Sequence, residues 1–219
     1  MKALILTGGL GTRLRPFTCD IPKPLLPVVN IPFIHYQLRD LRRQGIREVI
    51  LATAYQPQAF RRALGTGRRL GLSLRYVHET KPLGTGGAVR NALPWLDGTT
   101  LILNGDVLQE LDLKAFLARH RRSRAEVSLT LVKVDDPSRY GLVETDADGR
   151  VLRFLEKPSP DESSHKTINA GAYLFETSAV ALIPPGTPHS LERGLFPRLL
   201  EERRRLFAFG RSGYWVDFG

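Results

Sequence analysis

Ala3-Leu4-Ile5-Leu6-Thr7-Gly8-Gly9-Leu10-Gly11-Thr12-Arg13-Leu14-Arg15 is the stretch whose reading decides the fold. An apolar run of strand length empties into a glycine-rich turn that carries arginines, and Pro22-Lys23-Pro24 follows shortly after. Glycines let backbone approach an anion, exposed N–H groups donate to it, and guanidinium and ammonium groups neutralise it. The turn is not a Walker A loop, because no Gly-Lys-Ser/Thr follows a glycine at the required spacing. Nor does it match the dinucleotide fingerprint. Gly9 and Gly11 fit the first two glycines, but Leu14 occupies the third place, and the acidic residue expected about 20 positions on is missing. Single aspartates, Asp106 and Asp217, stand where two later strands are expected to end. A phosphate cradle with separated carboxylates suits metal-assisted chemistry on a nucleotide.

Working outward, strand-like and helix-like runs alternate, the pattern of a mostly parallel sheet covered by helices. Strands are expected over 2–6, 48–54, 73–79, 99–103, 126–134, 168–175 and 206–209. Residues 142–144 and 150–155 flank Asp146-Ala147-Asp148-Gly149, a strong hairpin signal. Phe33, Ile34, Leu38 and Leu41 form a helical stripe over 33–44 ended by Gly45. Further helices are expected over 57–64, 88–93 (stopped by Pro94), 112–122 and 192–203. Residues 158–165 have the composition of an irregular loop. No repeat or linker divides the chain, so 1–219 reads as a single domain with an N-terminal nucleotide half and a C-terminal substrate wall.

The 219 residues suffice for one large α/β domain with a substantial core. The formal charge of +10 invites a nucleic-acid reading, but its basic clusters, such as His120-Arg121-Arg122-Ser123-Arg124, sit at helix ends. There they complement the helix dipole and are expected to face water. No nucleic-acid module accompanies them, and the charge favours anionic small substrates instead. A single cysteine, Cys19, rules out an internal disulfide framework and fits a reducing cytoplasm. No apolar stretch reaches the length of a membrane span, and the N-terminus reads as a strand rather than a signal peptide. The five histidines have no metal spacing; His35 and His78 read as core or helix-face residues.

Ligands of open α/β sheets bind beyond the carboxyl ends of the strands. The notable blocks fall at such places: 8–16, Pro22-Lys23-Pro24-Leu25, 79–88, Asn104-Gly105-Asp106, Tyr140-Gly141, Glu156-Lys157-Pro158, Asn169-Ala170-Gly171 and Trp215-Val216-Asp217. Jointly and in this order they resemble the sugar-1-phosphate nucleotidyltransferases, or sugar-nucleotide pyrophosphorylases. The resemblance spans nearly the whole chain. It implies a three-layer, Rossmann-like, mixed and mostly parallel sheet flanked by helices. It also implies reversible transfer between a nucleoside triphosphate (NTP) and a sugar 1-phosphate, giving an NDP-sugar and pyrophosphate. Gly8 and Gly9 would contact the nucleoside, Gly11, Thr12 and Arg13 the triphosphate, and Lys23 the α-phosphate. Gly84 and Thr85 would lie in the base-reading segment, with Asn104 beside the nucleotide. Asp106 and Asp217 would bind Mg²⁺. Gly141, Glu156 and Asn169 would line the sugar pocket, with Lys157 on the sugar phosphate.

Elementary chemistry agrees with those roles. A phosphate oxygen is already deprotonated near neutral pH, so the attack needs no general base. Positioning and charge stabilisation by Arg13, Lys23, Lys157 and Mg²⁺ suffice. The segment 79–88 and Tyr140-Gly141-Leu142-Val143 look most like the guanylyltransferase branch, with GTP and mannose 1-phosphate as substrates. Thymidylyltransferase and heptose-1-phosphate guanylyltransferase remain alternatives, as does a non-catalytic subunit that senses sugar nucleotides. Two departures stand out: Thr7 replaces a small apolar residue, and Gly105 stands where the mannose branch often has serine. Many relatives continue into a left-handed β-helix that assembles oligomers. That part is expected to be absent here, and a homo-oligomer stays open.

Overall fold

The computed structural model describes residues 1–159, 162, 165–210 and 213–218. In chain order its first elements are β1 (Ala3–Leu6), β2 (Pro27–Val28), β3 (Ile31–Pro32), α1 (Phe33–Arg43), β4 (Glu48–Thr53), α2 (Pro57–Leu64) and β5 (Ser73–His78). Then come α3 (Gly84–Ala92), β6 (Thr99–Asn104), β7 (Val107–Gln109), α4 (Leu113–Arg122), β8 (Val127–Lys133), β9 (Gly141–Thr145) and β10 (Val151–Glu156). The last are β11 (Thr167–Glu176), α5 (Thr177–Ala181), a π-helical turn (Leu191–Leu195), α6 (Phe196–Glu201), β12 (Leu206–Gly210) and β13 (Trp215–Asp217). Part of the loop expected over 158–165 lies outside the described residues.

The main sheet has nine strands on the path β10-β9-β11-β6-β1-β4-β5, with β8 on β11 and β12 on β8. β6, β1, β4 and β5 pair in parallel, and β12 lies parallel to β8. β11 runs against β6, β8 and β9, and β10 runs against β9. All other strands of this sheet share one direction, so the sheet is mixed and mostly parallel. Strands covered on both faces read as continuous apolar runs, and β1 is such a strand. Leu4 packs with α3, α5 and α6 through Val89, Val180 and Phe196, while Ala3 and Ile5 face α1, α2 and α4 through Ile34, Leu38, Phe60 and Phe116. These two clusters make three layers. Each fully buried Leu or Ile there contributes roughly 1.5–3 kcal/mol. Among the described residues, no helix is long and apolar enough to cross a membrane.

Four local features depart from the sequence reading. The helix expected over 88–93 begins at Gly84, because His189 O accepts from the amides of Gly86 and Gly87 at 2.8 and 3.0 Å and so supports a first turn made of weak helix formers. The helix expected over 192–203 divides into the π-helical turn and α6. Pro197 has no N–H for an intrahelical bond, and the widened turn before it accommodates that loss. β7 and β13, each only three residues long, form an antiparallel ribbon too short for periodicity to reveal. His120 is buried rather than water-facing: Nδ1 lies 2.8 Å from Ser128 Oγ and Nε2 3.0 Å from Glu176 Oε1.

Candidate active site

The carboxyl ends of β1, β5 and β6 border a cavity of about 420 Å³, lined among others by Gly8, Gly9, Glu79, Gly84, Thr85 and Asp106. The turn after β1 is fixed from below. Thr7 is buried, its Oγ1 donates to Ala52 O at 2.7 Å, and its amide donates to the same oxygen at 2.9 Å. The hydroxyl of Thr7 is therefore engaged by the backbone of β4. Gly11 has φ 61°, and Thr18 Oγ1 donates to its carbonyl at 2.8 Å. This left-handed residue turns the chain into a 3-10 turn at Thr12–Leu14, on which Thr12 and Arg13 are exposed.

Lys23 opens a second 3-10 turn, Lys23–Leu25, and is buried. Its Nζ lies 2.7 Å from Asp106 Oδ2, across the end of β6. The lysine side chain is 10% exposed and that of the aspartate 41%, so the carboxylate keeps an open side. The β7–β13 ribbon brings the second aspartate to the first. Asp217 lies opposite Val107, and Phe218 N donates to Asp106 O at 2.8 Å. Stacking of Phe218 on Phe33, with centroids 4.9 Å apart, fixes that end. Among the described residues, no three His, Cys, Asp or Glu side chains gather as a metal cluster. The two aspartates are hard oxygen donors from adjoining strand ends, a set that fits Mg²⁺, which takes one or two carboxylates and completes its octahedron with phosphates and water.

Gly105 is constrained by space. A Cβ there would stand 2.5 Å from the backbone oxygen of Leu6, so the serine of the mannose branch cannot enter without a backbone shift. Asn104 lines the cavity but turns its amide toward β11: a Cβ on Gly171 would meet its Nδ2 at 2.9 Å. Its Oδ1 is buried with no hydrogen-bond partner among the described residues.

The residues expected around a sugar gather at the hairpin β9–β10 and at a bulge in β11, where the pairing with β8 shifts between Asn169 and Tyr173. Such bulges re-aim side chains. Trp215 Nε1 and Gln109 Nε2 donate to Ala170 O inside the bulge, at 3.0 and 3.2 Å, so Trp215 holds structure here. Asn169 Nδ2 donates to the hydroxyl of buried Tyr173 at 2.8 Å, and its Oδ1 accepts from Gly171 N at 3.1 Å, so Asn169 shapes the bulge it lies in. Glu156 is half-buried at the end of β10, against Gly141. Burial first, and then the charge of Glu192, push its carboxyl above the usual value, against the pull of Lys157 and Arg193. Lys157 is exposed beside it.

Sequence reasoning assigned no role to two acidic residues here. Glu79 follows β5 directly and is 6% exposed. Its Oε2 accepts from Leu83 N at 2.9 Å, and burial raises its pKa despite that bond and nearby His78. An acidic residue just past the end of a parallel strand was the signal that could have found it. Glu192, on the π-helical turn, accepts from Thr85 Oγ1 at 2.7 Å across 107 residues, and no local pattern reports a contact at that separation.

A glycine-rich turn, aspartates from adjoining strand ends and a carboxylate-lined wall thus meet at one end of a three-layer sheet. The family model described as nucleotidyl transferase matches residues 2–219, and the chain belongs to that family. It is 43% identical over 221 residues to a mannose-1-phosphate guanylyltransferase of Mycobacterium tuberculosis, a match covering all of this chain and 61% of the relative. It is 38% identical to the mannose-1-phosphate guanylyltransferase catalytic subunit beta of Danio rerio, again over 61% of that protein. The chain thus spans about three fifths of the length of the curated relatives it matches. The crystal structure of HddC from Yersinia pseudotuberculosis, complexed with GMP-PN, superimposes with a TM-score of 0.85 at 29% identity, covering 99% of this chain and 93% of that one.

Proposed function

We propose that the chain transfers a guanylyl group from GTP to mannose 1-phosphate, releasing pyrophosphate and forming a GDP-sugar, with residues 1–219 acting as one catalytic domain in the cytoplasm. An oxygen of the sugar phosphate attacks the α-phosphorus, and the bond from that phosphorus to the α,β-bridging oxygen breaks. The observation that carries the reading is the cavity edged by Gly8, Gly9, Glu79 and Asp106. Guanine is the base that presents two adjacent donors, N1–H and the 2-amino group, and a buried carboxylate is their natural acceptor. Glu79 is such a carboxylate. The names of the curated relatives support the same choice of base and sugar. The exposed lone Cys19 suits a reducing compartment.

In this reading the backbone of Gly8 and Gly9 meets the nucleoside, and Gly84, Thr85 and Asn104 complete that wall. Gly11, Thr12 and Arg13 receive the triphosphate, and Lys23 offsets charge that grows on the α-phosphate. Asp106 and Asp217 would hold Mg²⁺, which when bound supplies positive charge to the phosphates. Gly141, Glu156 and Asn169 bound the sugar, and Lys157 offsets its phosphate. Pyrophosphate release measured across GTP, dTTP, UTP, ATP and CTP against mannose, glucose, N-acetylglucosamine and heptose 1-phosphates tests the proposal. Turnover is expected with GTP and mannose 1-phosphate. Preference for another base or sugar replaces the assignment, and silence from folded protein that binds a GDP-sugar favours a sensing subunit.

A further inference from the structure

Asp106 stands where the chain leaves one sheet for another. Asn104 ends β6 of the main sheet, Val107 begins β7 of the ribbon, and Gly105 and Asp106 make the turn between them. Val107 is also the residue that pairs with Asp217 across the ribbon. The carbonyls of Asn104 and Val107 therefore bracket the first aspartate, and one of them belongs to the ribbon partner of the second.

A single side chain holds both carbonyls. Gln37 of α1 is 5% exposed and lies on the buried face of the helix with Ile34, Leu38 and Leu41. Its Nε2 donates to Asn104 O at 2.8 Å and to Val107 O at 2.7 Å, across 67 and 70 residues. A primary amide carries two donor hydrogens, so both are used. The two carbonyls also dictate which amide atom is the nitrogen, because the oxygen in its place would face two acceptors. Oε1 is buried with no hydrogen-bond partner among the described residues. An unmatched buried acceptor is costly, and a leucine or methionine would fill this helix face without it. What the amide supplies instead is a bridge over the turn. Other bonds hold the same turn from other sides. Gly105 N donates to Leu6 O at 3.0 Å, Phe218 N donates to Asp106 O at 2.8 Å, and Lys23 Nζ donates to Asp106 Oδ2 at 2.7 Å.

We propose that Gln37 is a positioning residue for the two metal-binding aspartates: by bridging Asn104 O and Val107 O, it sets the turn that carries Asp106 and the strand that faces Asp217. The role rests on reading both aspartates as ligands of Mg²⁺. That ion demands near-ideal octahedral geometry, so carboxylates from two strands must keep a fixed separation. A bond from outside the ligand set provides that restraint.

Three variants separate this role from general support of the fold. Gln37→Met keeps the length of the side chain but donates nothing. Gln44→Met, on the same helix end, removes bonds to Leu113 N and Asp40 and serves as the control. Asp106→Asn alters the ligand itself. Mn²⁺ binding to each folded chain is titrated by the electron paramagnetic resonance signal of the free ion, and the GTP KM and the Mg²⁺ dependence of pyrophosphate release are measured beside it. Gln37→Met is expected to weaken Mn²⁺ binding about tenfold, the low end of the range for groups that orient metal ligands. The Mg²⁺ concentration for half-maximal rate should rise to match, while the GTP KM at saturating Mg²⁺ changes little. Gln44→Met should bind Mn²⁺ as wild type does. Unchanged Mn²⁺ affinity in Gln37→Met beside a weakened Asp106→Asn overturns the role of Gln37 alone. An equal loss in Gln44→Met overturns it too, because the effect then belongs to α1 as a whole. Equal affinity in wild type and Asp106→Asn defeats the metal reading, and the role of Gln37 with it. If Gln37→Met does not fold, Gln37→Asn decides by the same criteria, since its amide stops one methylene short of the two carbonyls.

Discussion

The two halves of the molecule use charge in opposite ways. Residues 1–100 carry 15 lysines and arginines against five acidic residues, whereas residues 101–219 carry 17 of each. The first half supplies Lys23 and the exposed Arg13 beside a glycine turn, and the second sets Glu156 against Glu192 in a half-buried wall. A triphosphate is held by offsetting its charge, so cations and bare backbone suffice. A sugar is held by acceptors for its hydroxyls, and carboxylates must be kept close despite their repulsion. The contrast places the net charge of +10 in the first half, while the second half is balanced.

The largest effect is expected at the cation. Lys23→Met should lower kcat about 10²–10³-fold, the range for removing one preorganised charge-stabilising group, measured as pyrophosphate release with saturating substrates. A loss below tenfold would break the contrast, because the nucleotide half would then bind without stabilising the reaction. Glu79→Gln sharpens it. Glutamine pairs a donor with an acceptor, which suits uracil or thymine better than guanine. The kcat/KM for GTP should fall about 10–100-fold while the ratio of UTP or dTTP use to GTP use rises. An unmoved ratio would remove Glu79 from base selection.

Smaller effects are expected away from the substrates. Gly105→Ser forces a Cβ onto Leu6 O and should cost about 1–3 kcal/mol of stability, read from denaturant midpoints, while base preference stays as it was. The smallest effect concerns pH. Burial holds His120 below the ordinary imidazole value of 6.5, outweighing its Glu176 partner. The unfolded chain therefore binds the proton more readily, so His120 contributes stability above that pH which fades as pH drops below it. Wild type should lose stability faster than His120→Gln between pH 7 and 5. Equal slopes would remove His120 as a source of the acid sensitivity in that range.

Most of the frame was legible. β1 and β4 are short apolar runs bounded by turn residues, α1 has its stripe, and the Asp146–Gly149 turn marks the hairpin. Each is a pattern of period or turn chemistry within a few residues. The candidate site was legible as a set of blocks but not as a set of contacts. Thr85 lines the cavity, and the contacts of its hydroxyl with Glu192 and Leu191 had no signal in the sequence. Asn104 lines the cavity as a block of sequence suggests, but the approach of its amide to Gly171 of β11 has no local signal. His120 sat in an arginine cluster that advertises solvent, and only the packing of α4 on β8 buries it.

The amino-acid order by itself determined the family, the parallel frame and the phosphate-type turn, because apolar periodicity and glycine placement act locally on the chain. Only the tertiary structure decided which groups meet. Lys23 reaches Asp106 across 83 residues and Thr85 reaches Glu192 across 107. Those meetings depend on strand order, and strand order is settled by how the layers bury one another.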